Sequence, residues 1–212
     1  MAQRPELTRR ERVQLIYKKY LFTGIVVSLV AGNLFCNNPF ATREPEPPSG
    51  EQTSWFQPIA PEIVLTNLQS AIRERSIENY IRCFGLSDDV RRGFTFKPEI
   101  SVANNYQGVF LNWNIDEERN YINNLFSFIS SDSLSVLFLT DVTEIQFGDS
   151  VITSKEYDLI VAHSNSSAPG SASGRMELIL KKGSDALWFI SRWADFKTSE
   201  LPVWTLLKAQ FK

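Results

Sequence analysis

The sequence predicts an α+β domain in which helices pack on a curved antiparallel sheet. Between residues 61 and 129, apolar side chains recur mainly at helical spacing. Between residues 134 and 196 the period changes to the alternation of long strands. The turns at residues 148–150 and 183–185 are short, which favours hairpins and therefore antiparallel pairing. The helices must cover one face of the sheet because both layers have apolar surface to bury.

Three helices are predicted before the long strands. The first begins at Pro61, a residue suited to a first helical turn, and the second ends at Gly85. Asn114 caps the third helix, and an acidic trio in its first turn interacts favourably with the helix dipole. The trio consists of Asp116, Glu117 and Glu118.

Five strands follow from the same patterns. A short strand is predicted at residues 94–96, and longer ones lie within residues 134–145, 151–164, 176–182 and 186–196. The first long strand is predicted to be buried on both faces for part of its length. In the tail, Trp204, Leu207 and Phe211 share helical spacing. The tail is therefore expected either to fold back on the sheet or to bind a partner.

An apolar run from Leu21 to Phe35 follows a basic N-terminal segment. Basic residues before an apolar run favour retention of the basic segment in the cytoplasm. The chain that follows the run is therefore expected on the outer side of the membrane. The run has about 15 residues and would span about 22 Å as a helix, against about 30 Å for a hydrocarbon core. This order predicts a signal or anchor helix over residues 1–36 and a location in the cell envelope, with the C-terminal domain on the periplasmic or outer side.

Three fates of this segment stay open. It is a signal peptide cut near Ala31 or later, an uncleaved signal anchor, or a lipoprotein signal in which Cys36 becomes acylated. Phe35 stands where a small residue is expected before a lipidated cysteine. A proline-rich linker then occupies residues 37–60, and the α+β domain with its tail occupies residues 61–212. Trp55 and Phe56 are expected either to attach the end of the linker to the domain or to contact a partner.

Composition argues against several functional classes. The net charge is −2 and no basic face is visible, so we expect no nucleic-acid partner. The two cysteines cannot form a disulfide framework or a zinc cluster. The sequence has no phosphate-binding glycine loop and no cluster with metal-ligand spacing. No metal and no cofactor are predicted.

Two residues are weak candidates for catalysis. His163, the only histidine, is in phase with Tyr157 and could act as a base, although spacing identifies no acidic partner. Asp195 shares a strand face, by simple alternation, with Leu187, Phe189 and Trp193. A carboxylate beside aromatic rings can have a raised pKa and serve as a base, whereas an aspartate at a strand end more often begins a turn or pairs with an arginine.

Three segments resemble the NTF2-like superfamily, which includes SnoaL-like proteins. They are residues 67–72, residues 78–84 and the aromatic last strand Trp188-Phe189-Ile190-Ser191-Arg192-Trp193-Ala194-Asp195. The resemblance covers roughly residues 61–197. The spacer at residues 40–46 and the tail at residues 204–211 also look like small uncharacterised bacterial lipoproteins with this domain.

The resemblance implies a cone whose curved sheet wraps the helices and leaves a cavity at its open end. Candidates to line that cavity are Tyr80, Tyr106, Trp113 and Trp193. Some members of the superfamily are isomerases, cyclases or dehydratases, and others bind ligands or serve as dimerisation scaffolds, so the fold does not choose among them.

Three hypotheses follow. The leading one is a membrane-attached, outward-facing domain that binds or scaffolds without catalysis, contacting a second subunit or a larger membrane assembly through its sheet face. The second is an accessory subunit of a membrane complex, held by the N-terminal helix. The third is an enzyme that transfers a proton in the cone cavity, with Asp195 or His163 as the base.

Overall fold

The structure, a computed structural model, describes residues 54–84 and 93–212, together with Arg10, Gln14, Tyr17 and Lys18. The predicted apolar segment, Cys36 and most of the predicted linker lie outside the described residues. Within the described part of the chain, no helix is long and apolar enough to cross a membrane. Residues 51–212 form one compact unit.

Among the described residues of this unit, five helices surround the core: α1 (Pro61–Glu74), α2 (Ile77–Arg82), α3 (Ile100–Asn105), α4 (Ile115–Ser127) and α5 (Trp204–Gln210). The three helices predicted before the long strands are α1, α2 and α4. Asn114 caps α4 as predicted, because its side-chain oxygen accepts hydrogen bonds from the backbone N–H groups of Asp116 and Glu117. Helix α3 is not among the predicted helices. Its cap is Glu99, whose side chain accepts hydrogen bonds from the backbone N–H groups of Ser101 and Val102.

The sheet has five strands: β1 (Thr95–Lys97), β2 (Ser135–Phe147), β3 (Ser150–Val161), β4 (Ser171–Lys182) and β5 (Trp188–Phe196). Their order is β1-β5-β4-β3-β2. Strands β2 to β5 form the predicted antiparallel meander, whereas β1 pairs with β5 in parallel. The predicted α+β class is therefore confirmed.

Two predictions about strand faces are wrong. In β5, Arg192 pairs with Ile179 while Ile190 pairs with Leu180, so Ser191 is an extra residue that shifts the alternation. As a result, Trp193 and Asp195 share the inner face with Trp188 and Ile190, and not with Leu187 and Phe189. Strand β2 is not buried on both faces: it is an edge strand, and from Phe138 onward its side chains are largely exposed.

The core lies between the helices and the inner face of the sheet. Trp193 is central to it, stacked on Phe84 at 6.4 Å and in edge contact with Trp204 at 4.6 Å between ring centroids. Helix α5 folds back into this core, which decides between the two alternatives left open for the tail. Trp55 also packs against the core, whereas the Phe56 side chain is exposed.

Candidate functional site

The most unusual feature of the interior is a buried ion pair between Glu118 on α4 and Lys208 on α5. Both side chains are 0% exposed. The Lys208 ammonium donates to Glu118 Oε1, which also accepts a hydrogen bond of 2.6 Å from the Tyr80 hydroxyl. Trp113 Nε1 donates to Glu118 Oε2 at 2.7 Å. One carboxylate therefore joins α2, the segment before α4 and the C-terminal helix.

Four aromatic rings surround the Lys208 ammonium. Its nitrogen lies 4.4–5.5 Å from their centroids, which is within the range of cation–π attraction. These rings and the Glu118 carboxylate are called the aromatic cage below; the rings belong to Phe96, Trp113, Tyr121 and Trp193. Contacts with the cage offset part of the hydration free energy that the Lys208 ammonium loses on burial.

Burial shifts the pKa values of Lys208 and of the two tyrosines next to Glu118. Burial lowers the pKa of Lys208, and the charge of Glu118 and its hydrogen bond oppose that shift. Burial also raises the pKa of Tyr80 and Tyr121 well above the ordinary value, and the neighbouring Glu118 charge adds to both shifts. Both hydroxyl groups therefore stay protonated, and Tyr80 remains a hydrogen-bond donor to the carboxylate.

A second buried carboxylate, Asp195, holds the beginning of α5. Its Oδ2 accepts hydrogen bonds from the backbone N–H (2.7 Å) and the hydroxyl (2.6 Å) of Thr205. Its Oδ1 accepts a hydrogen bond of 2.8 Å from the Tyr157 hydroxyl, which itself accepts one of 2.8 Å from the Trp204 backbone N–H. Asp195 and Tyr157 thus cap a helix whose own N-cap residue, Val203, offers no side-chain acceptor.

Gly174 makes room for this cap. It is the β4 partner of Tyr157, and a Cβ at this position would lie 2.8 Å from the Tyr157 hydroxyl oxygen and 2.7 Å from the Phe196 carbonyl oxygen. Any larger residue would push the tyrosine away from Asp195. The bond network around Asp195 therefore depends on a glycine one strand away.

The structure does not bring the two catalytic candidates together. His163 lies beyond the end of β3, where its Nε2 is 3.0 Å from the Pro169 carbonyl oxygen and its ring meets Phe211 edge-on at 4.9 Å. Its Nδ1 is buried without a hydrogen-bond partner. Asp195 makes its contacts with Tyr157 and Thr205, so the two candidates share no contact.

Three of the four predicted cavity-lining residues come together. Tyr80, Trp113 and Trp193 are almost fully buried and lie around the ion pair. Tyr106 lies apart, half-buried, with its hydroxyl 3.5 Å from Gln210 Nε2. In the structure these rings meet the side chains of α5, which fill the space between the helices and the sheet.

Neither charged residue of the pair is predicted from the sequence as part of a site. Glu118 is predicted there only as a first-turn residue of its helix, and Lys208 has no predicted role. A signal was present, because helical spacing places Glu118 on the apolar face that begins at Ile115, and places Lys208 between Trp204 and Phe211. A charged residue on the apolar face of an amphipathic helix predicts a buried partner of opposite charge.

A cleft of about 490 Å³ lies on the surface between α1, the start of β2 and the segment before α1. Its lining is mixed, with the Arg73 guanidinium donating to Ser70 Oγ at 3.2 Å and Gln69 donating to the Leu137 carbonyl at 3.1 Å. The lining residues are Ser54, Phe56, Thr66, Gln69, Ser70, Arg73, Val136, Leu137 and Phe138. None of them belongs to the aromatic cage.

The described residues contain no group of three or more histidine, cysteine, aspartate and glutamate side chains placed to hold a metal ion. Cys83 is a free, buried cysteine. Burial raises the pKa of its thiol well above the ordinary value, so the thiol stays protonated and unreactive.

No protein-family model and no curated protein matches the chain. Solved structures of similar fold include a proposed dehydratase of the NTF2-like family from Streptomyces avermitilis, at 11% identity and a TM-score of 0.48, covering 65% of this chain and 93% of that one. A proposed scytalone dehydratase from Novosphingobium aromaticivorans has 10% identity and a TM-score of 0.49, covering 65% and 81%. Both are likenesses of fold alone.

The ion pair generates a prediction about stability. Lys208→Met leaves the Glu118 carboxylate buried without its cation, and we expect the free energy of unfolding to fall by about 3–5 kcal/mol in urea titrations. The double variant E118Q/K208M removes both charges and should recover most of that loss. The matched control is Lys212→Met, since Lys212 pairs with Glu117 at 3.3 Å while both side chains are about 30% exposed. That control should cost less than about 1 kcal/mol, and equal losses for K208M and K212M would contradict the buried-pair account.

Asp195 generates a prediction about pH. Burial raises the pKa of Asp195 above the ordinary value, although the hydrogen bonds from Thr205 and Tyr157 oppose the shift. The folded chain therefore holds this proton more tightly than the unfolded chain, so its contribution to stability is complete below about pH 4 and is lost as the pH rises through the raised pKa. We expect the stability advantage of the wild type over D195N to shrink over that interval in urea titrations at a series of pH values. The exposed Asp158→Asn variant is the control, and an advantage that grows with pH would contradict the assignment.

Proposed function

We propose that this chain is a membrane-attached, outward-facing domain that binds or scaffolds other protein subunits and does not catalyse a reaction. The observation that carries the proposal is the filling of the domain interior by α5. Lys208, Trp204 and Leu207 of this helix are all 0% exposed, in the space where the resemblance predicted a cavity. A substrate in that position would have to displace the C-terminal helix.

The buried carboxylates support the same proposal. A general base must reach the proton that it abstracts and must have a free lone pair directed toward it. The oxygens of Asp195 accept three hydrogen bonds from Tyr157 and Thr205, and those of Glu118 accept three from Tyr80, Trp113 and Lys208. Both carboxylates are engaged in holding the C-terminal helix, so neither Asp195 nor Glu118 has the free geometry that the base of the enzymatic alternative requires.

The outer face of the sheet offers a surface for a partner. The strand register places several apolar side chains on this face, opposite the buried residues of β3. Three of them on β2 are 53–64% exposed, which is unusual for large apolar residues that lie on one strand. We call these residues the apolar face; Val136, Phe138 and Ile160 lie at one end of it and Ile145, Phe147 and Ile152 at the other, with Thr140, Ser154 and Glu156 between the two groups.

The free edge of β2 is less suited to a partner than the apolar face. A β-bulge interrupts the strand between Asp141 and Thr143, and the charged side chains of Asp141 and Glu144, which both pair with Lys155, lie close to it. Bulges and charges are the features by which proteins prevent strands from adding to an exposed edge. The proposed contact is therefore face to face rather than edge to edge.

The proposed membrane attachment comes from the basic segment and the apolar run Leu21–Phe35. Chains anchored in one membrane meet at a higher effective concentration than free chains, so a modest apolar face is enough for association. The proposed occupant of the face is a second copy of the domain. The alternative is a subunit of a larger membrane complex.

The experiment is detergent extraction of membranes from cells that express the tagged full chain, followed by crosslinking and mass spectrometry. We expect the chain in the membrane fraction, crosslinked to a second copy. The variant F138D/I145D/F147D should remain in that fraction and lose at least 90% of the crosslinked product, because three charges would be buried at the contact. Mass spectrometry of the mature N-terminus also distinguishes cleavage, retention and acylation of Cys36.

The matched control is L111D, which places a charge on another exposed apolar residue, 74% exposed and outside the sheet. It should crosslink like the wild type. Crosslinks to other membrane proteins, lost in the triple variant, would favour the accessory-subunit alternative. Recovery of the chain from the soluble fraction would contradict the anchor, and an unchanged crosslink pattern in the triple variant would contradict the apolar face.

A further inference from the structure

We propose that the aromatic cage is a binding site for alkylammonium groups, and that Lys208 is its tethered ligand. The inference is independent of the proposed function, since it concerns the interior of the domain and not its outer face. It specifies the class of ligand that the interior accepts: a cationic tip on a slim, unbranched, apolar stem.

All four rings of the aromatic cage and its carboxylate come from parts of the chain outside α5. Phe96 lies on β1, Trp193 on β5 and Tyr121 on α4, while Trp113 precedes α4 and Glu118 belongs to its first turn. Helix α5 contributes only the cation. The relation of Lys208 to the cage is therefore that of a ligand to a site formed by the rest of the domain.

The Glu118 carboxylate has two donors besides Lys208 that hold it in place. The Tyr80 hydroxyl donates to one oxygen of Glu118 at 2.6 Å, and Trp113 Nε1 donates to the other at 2.7 Å. Both donors would remain if the lysine side chain were absent. The oriented, desolvated negative charge would then attract a replacement cation in preference to a neutral molecule.

The four rings of the aromatic cage lie close to the Lys208 ammonium. Their centroids lie at 4.4, 4.5, 4.8 and 5.5 Å from the ammonium nitrogen, so the cation has aromatic surface on several sides. Rings arranged in this way attract the ammonium head through their quadrupoles and its methylene groups through apolar contact. Neither attraction requires that the ammonium be covalently attached to α5.

The test uses the full chain with Lys208→Ala, which removes the atoms beyond Cβ and leaves a space shaped like n-propylammonium. Thermal unfolding and tryptophan fluorescence are followed while n-propylammonium chloride is added, with n-propanol and potassium chloride added in parallel experiments. We expect saturable stabilisation of K208A by the amine, at concentrations at least tenfold below those at which n-propanol acts. Potassium chloride should have no saturable effect.

Three control chains locate the binding. Wild type and K208M should show no saturable response, because a side chain already fills the space. E118Q/K208A keeps the space without the charge and should lose the preference for the amine over the alcohol.

Equal responses of K208A to amine and alcohol would overturn the proposal, as would equal responses of K208A and K208M to the amine. If K208A is unfolded alone, the amine should restore the far-UV circular dichroism of the wild type. A K208A chain that stays unfolded at every amine concentration would also overturn the proposal.

Discussion

The burial of one ion pair organises this domain. A lysine and a glutamate that are both 0% exposed have lost their water, and each would be costly to bury without the other. The structure offsets this cost with two further donors to Glu118 and with four rings around the Lys208 ammonium. Because the cation comes from α5, the pair also fixes where this helix packs against the rest of the domain. The sheet, the N-terminal helices and the tail are thereby joined at one point.

The position of α5 explains how the interior and the outer surface have different roles. Asp195 and Tyr157 hold the first turn of the helix, Trp204 Nε1 donates to the Tyr121 hydroxyl at 2.7 Å, and Lys208 enters the aromatic cage one turn later. The interior is consequently filled by side chains of the chain itself. Several of the apolar residues that stay exposed lie on the opposite face of the sheet. This division is the basis on which we propose a role in assembly.

Much of the fold could be predicted because periodicity reports which side of an element is buried. Helical spacing gave α1, α2, α4 and the tail, and alternation gave the four long strands. Alternation failed in β5, since a bulge at Ser191 changes which residues face inward and no residue type marks it. The ion pair was missed for a different reason: Glu118 and Lys208 are 90 residues apart, and only the folded chain shows that two charges on apolar helix faces meet. The short helix α3 begins at a glutamate cap, a signal too local to distinguish from a turn.

The central claim is that α5 is an integral part of the core, fastened by the buried pair, and native-state hydrogen exchange tests it most directly. The relevant protons are the indole N–H groups of Trp113 and Trp204, bonded to Glu118 and Tyr121, and the amide protons of residues 207–210. The account predicts that all of them exchange only through global unfolding, with the same free energy as the most protected amides of β3 and β4. Exchange of the α5 amides and the Trp204 indole at a much lower free energy, while the sheet stays protected, would contradict it.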